Sequence, residues 1–446
     1  MADYDVIVIG GGFAGATAAR EVGKAGLRCL LLEARDRLGG RTWYSEFAGH
    51  PVEMGGTWIH WIQPHVWAEV TRYGLEITES AGAASGQNCA WITSGQRKTG
   101  SLEELRTMLE DGVARFCQDA ERVLERPYDP LRSEGIAELD HLSVQDRLDQ
   151  LGLPTEQRDV LAGLWSTCCS ALCREGGLMT MLRWYALSNR SFSLMVDAVA
   201  RYKLRNGTRS LIEAIVTDGK PEVRLSTPVA RIEQDAEKVV VTTQGGESFS
   251  SRAAVMTVPL NVLADIEFSH PLSTGKQAAS RERQASHGVK SWAFVRGTQK
   301  DFFGVAPDPS PLTWIQSEYE VSDGTLLVGF GPDANLLDVK NPQAVQQAVR
   351  QFLPKAEVLA ADGHNWDADP YSRGTWPVFR PRQLTRYLKE LQRTEGRLVF
   401  AGSETANGWN GFIDGAIETG LRAGREVAQL LDSSAPGRAG VIPNKR

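Results

Sequence analysis

Apolar positions along the chain fall into two rhythms. Residues 5–9 (DVIVI) and 28–33 (RCLLLE) are short, nearly unbroken apolar runs, the pattern of strands buried on both faces. Between them, 13–26 carries small and apolar side chains at helical spacing, so the opening reads strand, turn, helix, strand. A helix is predicted over 64–73, stopped by a turn at Gly74. Helical periodicity continues over 101–124, 143–151, 155–170 and 176–188. The first of these opens with Ser101 and Glu104, a capping-box spacing. Pro127, Pro130 and Gly135 mark a loop among them. After a helix over 210–217 the period drops to two. Strands over 222–225, 229–234, 239–243 and 248–251 read as a meander, and 252–258 is a near-continuous apolar strand ended by Pro259. Strands follow at 289–296, 312–316 and 325–331, a helix over 342–352, and a strand-like run at 357–366. A short apolar strand at 398–402 and an amphipathic helix over 415–431 close the pattern. There are no internal repeats.

The turn at the start carries chemistry. Gly10, Gly12 and Gly15 fit G-x-G-x-x-G between a strand and a helix, and Glu33 ends the next strand. Gly10 permits the turn, Gly12 lets a pyrophosphate approach the backbone, and Gly15 lets helix and strand pack closely. The helix start offers N–H groups and a positive dipole end to phosphates. Glu33 suits ribose hydroxyls and would repel a 2′-phosphate. This context predicts a dinucleotide site. More glycine pairs follow at Gly39-Gly40 and Gly55-Gly56-Thr57-Trp58, which suggests backbone wrapping a longer ligand. Arg35 and Arg41 are placed to neutralise pyrophosphate. No second G-x-G-x-x-G appears, which points to FAD as the sole redox cofactor, reduced by the substrate itself.

Size and charge narrow the class. A chain of 446 residues predicts two or three domains, and 42% hydrophobic with 23% charged residues predicts an ordinary globular core. A net charge of −6 without basic runs gives no attraction to nucleic acid or an acidic membrane. The N-terminus enters a strand at once, no apolar stretch is long enough for a bilayer, and the tail PGRAGVIPNKR is polar. The expectation is a soluble cytoplasmic protein. Cys29, Cys89, Cys117, Cys168, Cys169 and Cys173 lack a paired set at zinc spacing and read as reduced core thiols; His60 and His65 form no supported metal pair.

The stretches LLEARDRLGGRT and EMGGTWIHW resemble the flavin-containing amine oxidases, the family of the monoamine and polyamine oxidases. The resemblance returns at 255–259, at Lys290, at 366–376, at 400–405 and at 413–416, so it spans nearly the whole chain. Within the family, GGTWIHWIQPHVWAE is most like the bacterial oxidases of cyclohexylamine and of nicotine or pseudooxynicotine. The resemblance implies an α/β fold: a Rossmann-like FAD-binding domain of the glutathione-reductase type, interleaved with a substrate domain of mixed sheet plus helices. The FAD domain is expected at 1–80, 205–288 and 385–446. The substrate domain is expected at 81–204, its helical part, and 289–384.

By the same resemblance, Lys290 matches the lysine that hydrogen-bonds a water at the flavin N5. From the residues alone it is either snorkelling to the surface or a buried amine held for a purpose. Trp376 and Phe412 match the two aromatic walls of a cage around the substrate amine; Phe412 replaces the common tyrosine. Thr375 stands where animal monoamine oxidases carry a flavin-bonded cysteine, so FAD is expected to be non-covalent. Gly40, Gly56, Thr57, Trp58, Val229, Trp366, Ser403, Glu404 and Ile413 join the cofactor site. Leu164, Thr167, Cys168, Trp314 and Phe330 are the substrate-pocket candidates, with Trp376 and Phe412. The expected reaction is oxidation of a small, hydrophobic, cyclic amine of the cyclohexylamine kind to an imine, which water hydrolyses. Oxygen, giving hydrogen peroxide, or a carrier protein takes the electrons, and a homodimer is the family-level expectation. The alternatives are a nicotine-like or pseudooxynicotine-like secondary amine, or an L-amino-acid oxidase or carbon–carbon desaturase on the same fold.

Overall fold

Two sheets organise the chain, and the cavity described below lies where they meet. The computed structural model describes residues 2–80 and 88–433. The first residues of the stretch expected to be helical, 81–87, and the tail read as polar lie outside the described residues.

The first sheet has eight strands. Tyr4–Ile9 lies at its centre, parallel to Cys29–Leu32 on one side and to Ser248–Met256 on the other. Glu222–Arg224 and Leu398–Phe400 extend the parallel part. Val6, Ile7 and Val8 are fully buried, as unbroken apolar runs in a doubly covered sheet should be. The meander Val229–Gln234, Val239–Thr243 and Ser248–Met256 is antiparallel and shares that last strand. What the sequence reads as two strands, 248–251 and 252–258, is one, which pairs with the meander at its start and with Leu398–Phe400 at its end. Helix Phe13–Lys24 packs between Gly207–Gly219 and Ile413–Ser433.

The second sheet has seven strands, in the order Val358–Asp362, Val289–Arg296, Gly324–Gly331, Trp314–Val321, Phe302–Val305, Asn88–Thr93 and Gln96–Gly100. The last two strands come from the stretch expected to be helical. Gln96–Gly100 reads QRKTG and is largely exposed at the sheet edge, so it carries no apolar alternation to reveal it. The helices Leu102–Phe116, Thr155–Cys169 and Leu178–Leu187 match the predicted periodicity. The capping box forms: Ser101 Oγ accepts from the Glu104 amide while the Glu104 carboxylate accepts from the Ser101 amide at 2.8 Å. Among the described residues no helix is long and apolar enough to cross a membrane. All six cysteines are free and buried, and where Cys168 meets the cavity, burial pushes its thiol up to about 12.

Candidate active site

One cavity of about 600 Å³ joins the glycine turn to the second sheet. Of the residues singled out from the sequence, all but Gly15 and Glu404 line it. Those two act from behind. A Cβ at Gly15 would lie 1.9 Å from the Gly10 carbonyl oxygen, so this glycine seats the helix on the turn. Glu404 Oε1 accepts from Arg41 Nη2 at 2.7 Å.

The glycine end suits a dinucleotide. Helix Phe13–Lys24 starts at Gly12 without a side-chain cap and without an acid in its first turn. Its N–H groups and positive end are therefore turned to an anion. Gly10 holds φ +109°, which only glycine adopts readily, and Gly12 faces the Cα of Gly40 across the groove. Glu33 is buried, with Oε2 accepting from the Gly11 amide at 2.6 Å and Oε1 from the Arg35 amide at 2.8 Å. Burial pushes its carboxyl up while the two amides pull it back. Arg35 donates to Asp369 at 2.6 Å and lies over the rings of Trp366 and Tyr371. Burial works against the Asp369 carboxylate, yet His364 and Arg35 outweigh it and hold it well below the usual range. Arg41 also donates from Nη1 to the Thr375 carbonyl at 2.9 Å. With both arginines already facing a carboxylate, the backbone N–H groups are the donors best placed for phosphate.

The other end is built on one rung of the second sheet. Lys290, Phe330 and Trp314 are cross-strand partners on three neighbouring strands, so their side chains stand side by side on the cavity face. Lys290 is buried, so it does not snorkel to the surface. Its Nζ donates to Thr57 Oγ1 at 2.7 Å and to the Gly55 carbonyl at 3.1 Å, beneath the rings of Trp58, Trp292 and Phe330. Burial pulls this ammonium down from 10.5 to about 7, with Glu53 opposing. The same burial pushes the Glu53 carboxyl up; the Thr208 amide and hydroxyl donate to it. A neutral amine is thus accessible near neutral pH.

Trp376 and Phe412 form further walls. Trp376 Nε1 donates to the Cys168 carbonyl at 2.9 Å, which fixes the indole against the end of Thr155–Cys169. Leu164, Thr167 and Cys168 share one face of that helix by their spacing. Phe412 is held edge-on by Trp184 and Trp409 at 4.7 and 5.1 Å between centroids. Arg183, fully buried, donates to the carbonyls of Ala406, Asn407 and Gly408 and pins the loop that leads to Phe412. Trp366 Nε1 donates to the Met54 carbonyl at 3.1 Å and its ring abuts Gly55. Ser403 and Ile413 lie where the last helix begins, so its N-terminal dipole faces the cavity. Thr375 Oγ1 donates to Ser170 Oγ at 2.8 Å and offers no thiol. Acid precipitation is therefore expected to release all the flavin into the supernatant; colour in the washed pellet would show a covalent bond elsewhere.

Trp184 and Gln316 also line the cavity, and sequence reading passed over both. Gln316 had a signal: two residues from Trp314 on a strand, it shares that residue's face. Trp184, in MLRWYAL, lies on a helix buried on nearly every side and had none.

A dinucleotide groove that opens into an aromatic chamber over a buried lysine defines a flavin-dependent oxidoreductase. The chain belongs to the flavin containing amine oxidoreductase family, whose sequence profile matches residues 13–428. FAD is its cofactor. A pseudooxynicotine dehydrogenase of Pseudomonas sp is 43% identical, over 96% of this chain and 87% of the relative. A nicotine dehydrogenase of Pseudomonas putida is 42% identical over 96% and 89%. Among solved structures, cyclohexylamine oxidase from Brevibacterium oxydans superposes with a TM-score of 0.80 at 22% identity, covering 96% of this chain and all of that one.

Proposed function

We propose that the chain oxidises a small aryl-bearing amine of the nicotine or pseudooxynicotine type at the carbon next to its basic nitrogen. The observation that carries this reading is the flat-walled chamber of Trp58, Trp314, Phe330, Trp376 and Phe412 around the Lys290 amine. Flat apolar walls favour a ring and attract a cationic amine on approach. The sequence placed cyclohexylamine first and the nicotine type second, and the comparisons support the reverse order. Likeness to cyclohexylamine oxidase at 22% identity speaks for the fold alone, whereas the two Pseudomonas relatives are nearly twice as similar in sequence.

In this reading, among the described residues, 2–80, 205–288 and 385–433 form the FAD domain, and 88–204 with 289–384 form the amine-binding domain. Gly10, Gly12, Gly40 and Gly56 give the phosphates and ring a close backbone, and Glu33 takes the ribose. Thr57, Trp58, Val229, Trp366, Ser403 and Ile413 complete the cradle. The bound flavin supplies the hydride acceptor. The chain holds the C–H bond toward it between Trp376 and Phe412, excludes water with its apolar walls, and keeps Lys290 deprotonated above about pH 7. The carbon–nitrogen bond becomes double as the hydride leaves, and water then hydrolyses it, to a carbonyl and a free amine where the nitrogen lies in an open chain and to one ring-opened amino carbonyl compound where it lies in a ring. Electrons pass on to oxygen, giving peroxide, or to a carrier protein; that both Pseudomonas relatives are dehydrogenases by name favours the carrier.

The test is anaerobic bleaching of the flavin by pseudooxynicotine, nicotine, cyclohexylamine and phenylalanine. Rapid bleaching by either of the first two is the expected result. Bleaching confined to cyclohexylamine or to the amino acid overturns the substrate assignment.

A further inference from the structure

Behind the aromatic wall lies a chain of buried polar groups, none of them hydrogen-bonded to Lys290. Gln316 sits two residue pairs along the sheet from Lys290, Phe330 and Trp314, on the same face, paired with Val328. It is buried within the protein and lines the cavity. Its Oε1 accepts from Trp314 Nε1 at 3.0 Å, and its Nε2 donates to Glu318 Oε2 at 3.2 Å. Glu318 is buried and paired with Lys203, whose ammonium also meets the Tyr319 hydroxyl and lies 4.2 Å from that ring's centre. Lys203 comes from the short strand Tyr202–Leu204, far away in sequence.

This chain fixes which way the amide points. An indole N–H only donates, and an ionised carboxylate only accepts, so Oε1 must face Trp314 and Nε2 must face Glu318. Each amide atom has one hydrogen-bonding site left over. In a wall otherwise made of Trp314, Phe330, Leu164, Cys168 and Thr167, whose hydroxyl is already paired with that of Thr313 at 2.8 Å, a polar group held in a fixed orientation by a buried ion pair is more than filler. A leucine or methionine would fill the space without requiring the ion pair behind it.

We infer that Gln316 is the residue that reads the far end of the substrate, donating its second Nε2 hydrogen to an acceptor atom in the ring, a pyridine nitrogen. This rests on the amine-oxidation reading and adds to it the class of group remote from the reacting carbon. Glu318 and Lys203 act through Gln316 as positioning residues.

Two pairs of probes test this on the flavin-loaded protein. The first is pseudooxynicotine and its phenyl analogue, which differ by one ring nitrogen; the readout is the kinetics of flavin reduction. The second is 3-acetylpyridine and acetophenone, which have no amine; the readout is binding followed by tryptophan fluorescence. The wild-type protein is expected to favour each pyridine over its phenyl partner by roughly tenfold, the value of one neutral hydrogen bond, with the difference in KM and not in kcat. Gln316→Met is expected to bring both ratios to about one, by weakening the pyridines and sparing the phenyl compounds. Glu318→Gln, which frees the amide to turn, is expected to give an intermediate ratio. Should Gln316→Met lose its flavin, Gln316→Asn, which withdraws the amide by one methylene, takes its place. Equal losses for both members of a pair, or a wild-type ratio of one, overturn the inference. If the amines bleach the flavin and the ratios ignore Gln316, this inference alone fails. If no amine bleaches it and the acetylpyridine preference still depends on Gln316, the oxidation reading alone fails.

Discussion

Lys290→Met is expected to yield a folded, yellow protein whose amine-driven flavin reduction or subsequent reoxidation is slowed roughly a hundredfold, within the usual range for losing a placed proton-transfer group. Methionine fills the space of the lysine stem and ends one atom short of the amine, in a pocket walled by Trp58, Trp292 and Phe330, so packing should survive. What is lost is a donor to Thr57 and Gly55 and an amine that changes charge near pH 7. The sign follows from the downward shift. Below about pH 7 the native lysine is an ammonium, and above it a neutral amine with a lone pair. A rate that needs the neutral form should climb through that region in the wild type, and the climb should vanish in the variant. Stopped-flow traces across pH, with flavin content measured beside them, check both points. An unchanged rate with an unchanged pH profile removes Lys290 from the chemistry.

Among the described glycines, Gly15→Ala should be the most damaging single methyl group. The added carbon would sit 1.9 Å from the Gly10 carbonyl oxygen, a backbone atom that no rotamer change can move. The usual escape, a small shift of the helix, is blocked on the flanks of Phe13–Lys24. Gly219 is packed onto the Arg20 backbone, and Gly420 onto the Ala14 carbonyl. Relief would have to open the two helix contacts that hold the first sheet together. Overpacking of this kind costs about 3 kcal/mol, and the disturbed turn is the one that faces the phosphates. The expected outcome is a lower melting temperature and a colourless protein on purification. Gly245→Ala, where the nearest atom to a new Cβ is Thr243 Oγ1 at 3.7 Å, is the control and should change neither.

The first fingerprint was legible because its physics is local. Strand, turn and helix lie within one stretch, and the observed Tyr4–Ile9, Phe13–Lys24 and Cys29–Leu32 fall within a residue or two of expectation. The Ser101 capping box is local in the same sense. What escaped was too short to show a period, apolar all round, or held by partners distant in sequence. The hairpin of Tyr44–Phe47 and His50–Glu53 and the strand Phe302–Val305 are four residues each, too short to show a period. Helix Phe192–Ala200 is apolar on most of its surface, so it shows no stripe. Helices Thr274–Glu282 and Gln383–Gln392, by contrast, were simply passed over in loop-like surroundings. In the cavity, residues carried by family resemblance came together, whereas Gln316 and Trp184 had no motif to announce them. The Lys203–Glu318 pair spans 115 positions, and no window along the chain could have found it.

The first sheet is closed by its latest strand. Tyr4–Ile9 waits for Ser248–Met256 beside it, which in turn waits for Leu398–Phe400. Asp414, fully buried at the start of the last helix, supplies the acceptor for the His65 and Val66 amides at 2.6 and 2.8 Å. A nascent polypeptide on the ribosome therefore displays its glycine turn long before that turn has a roof, and loading of the cofactor belongs after translation, not during it.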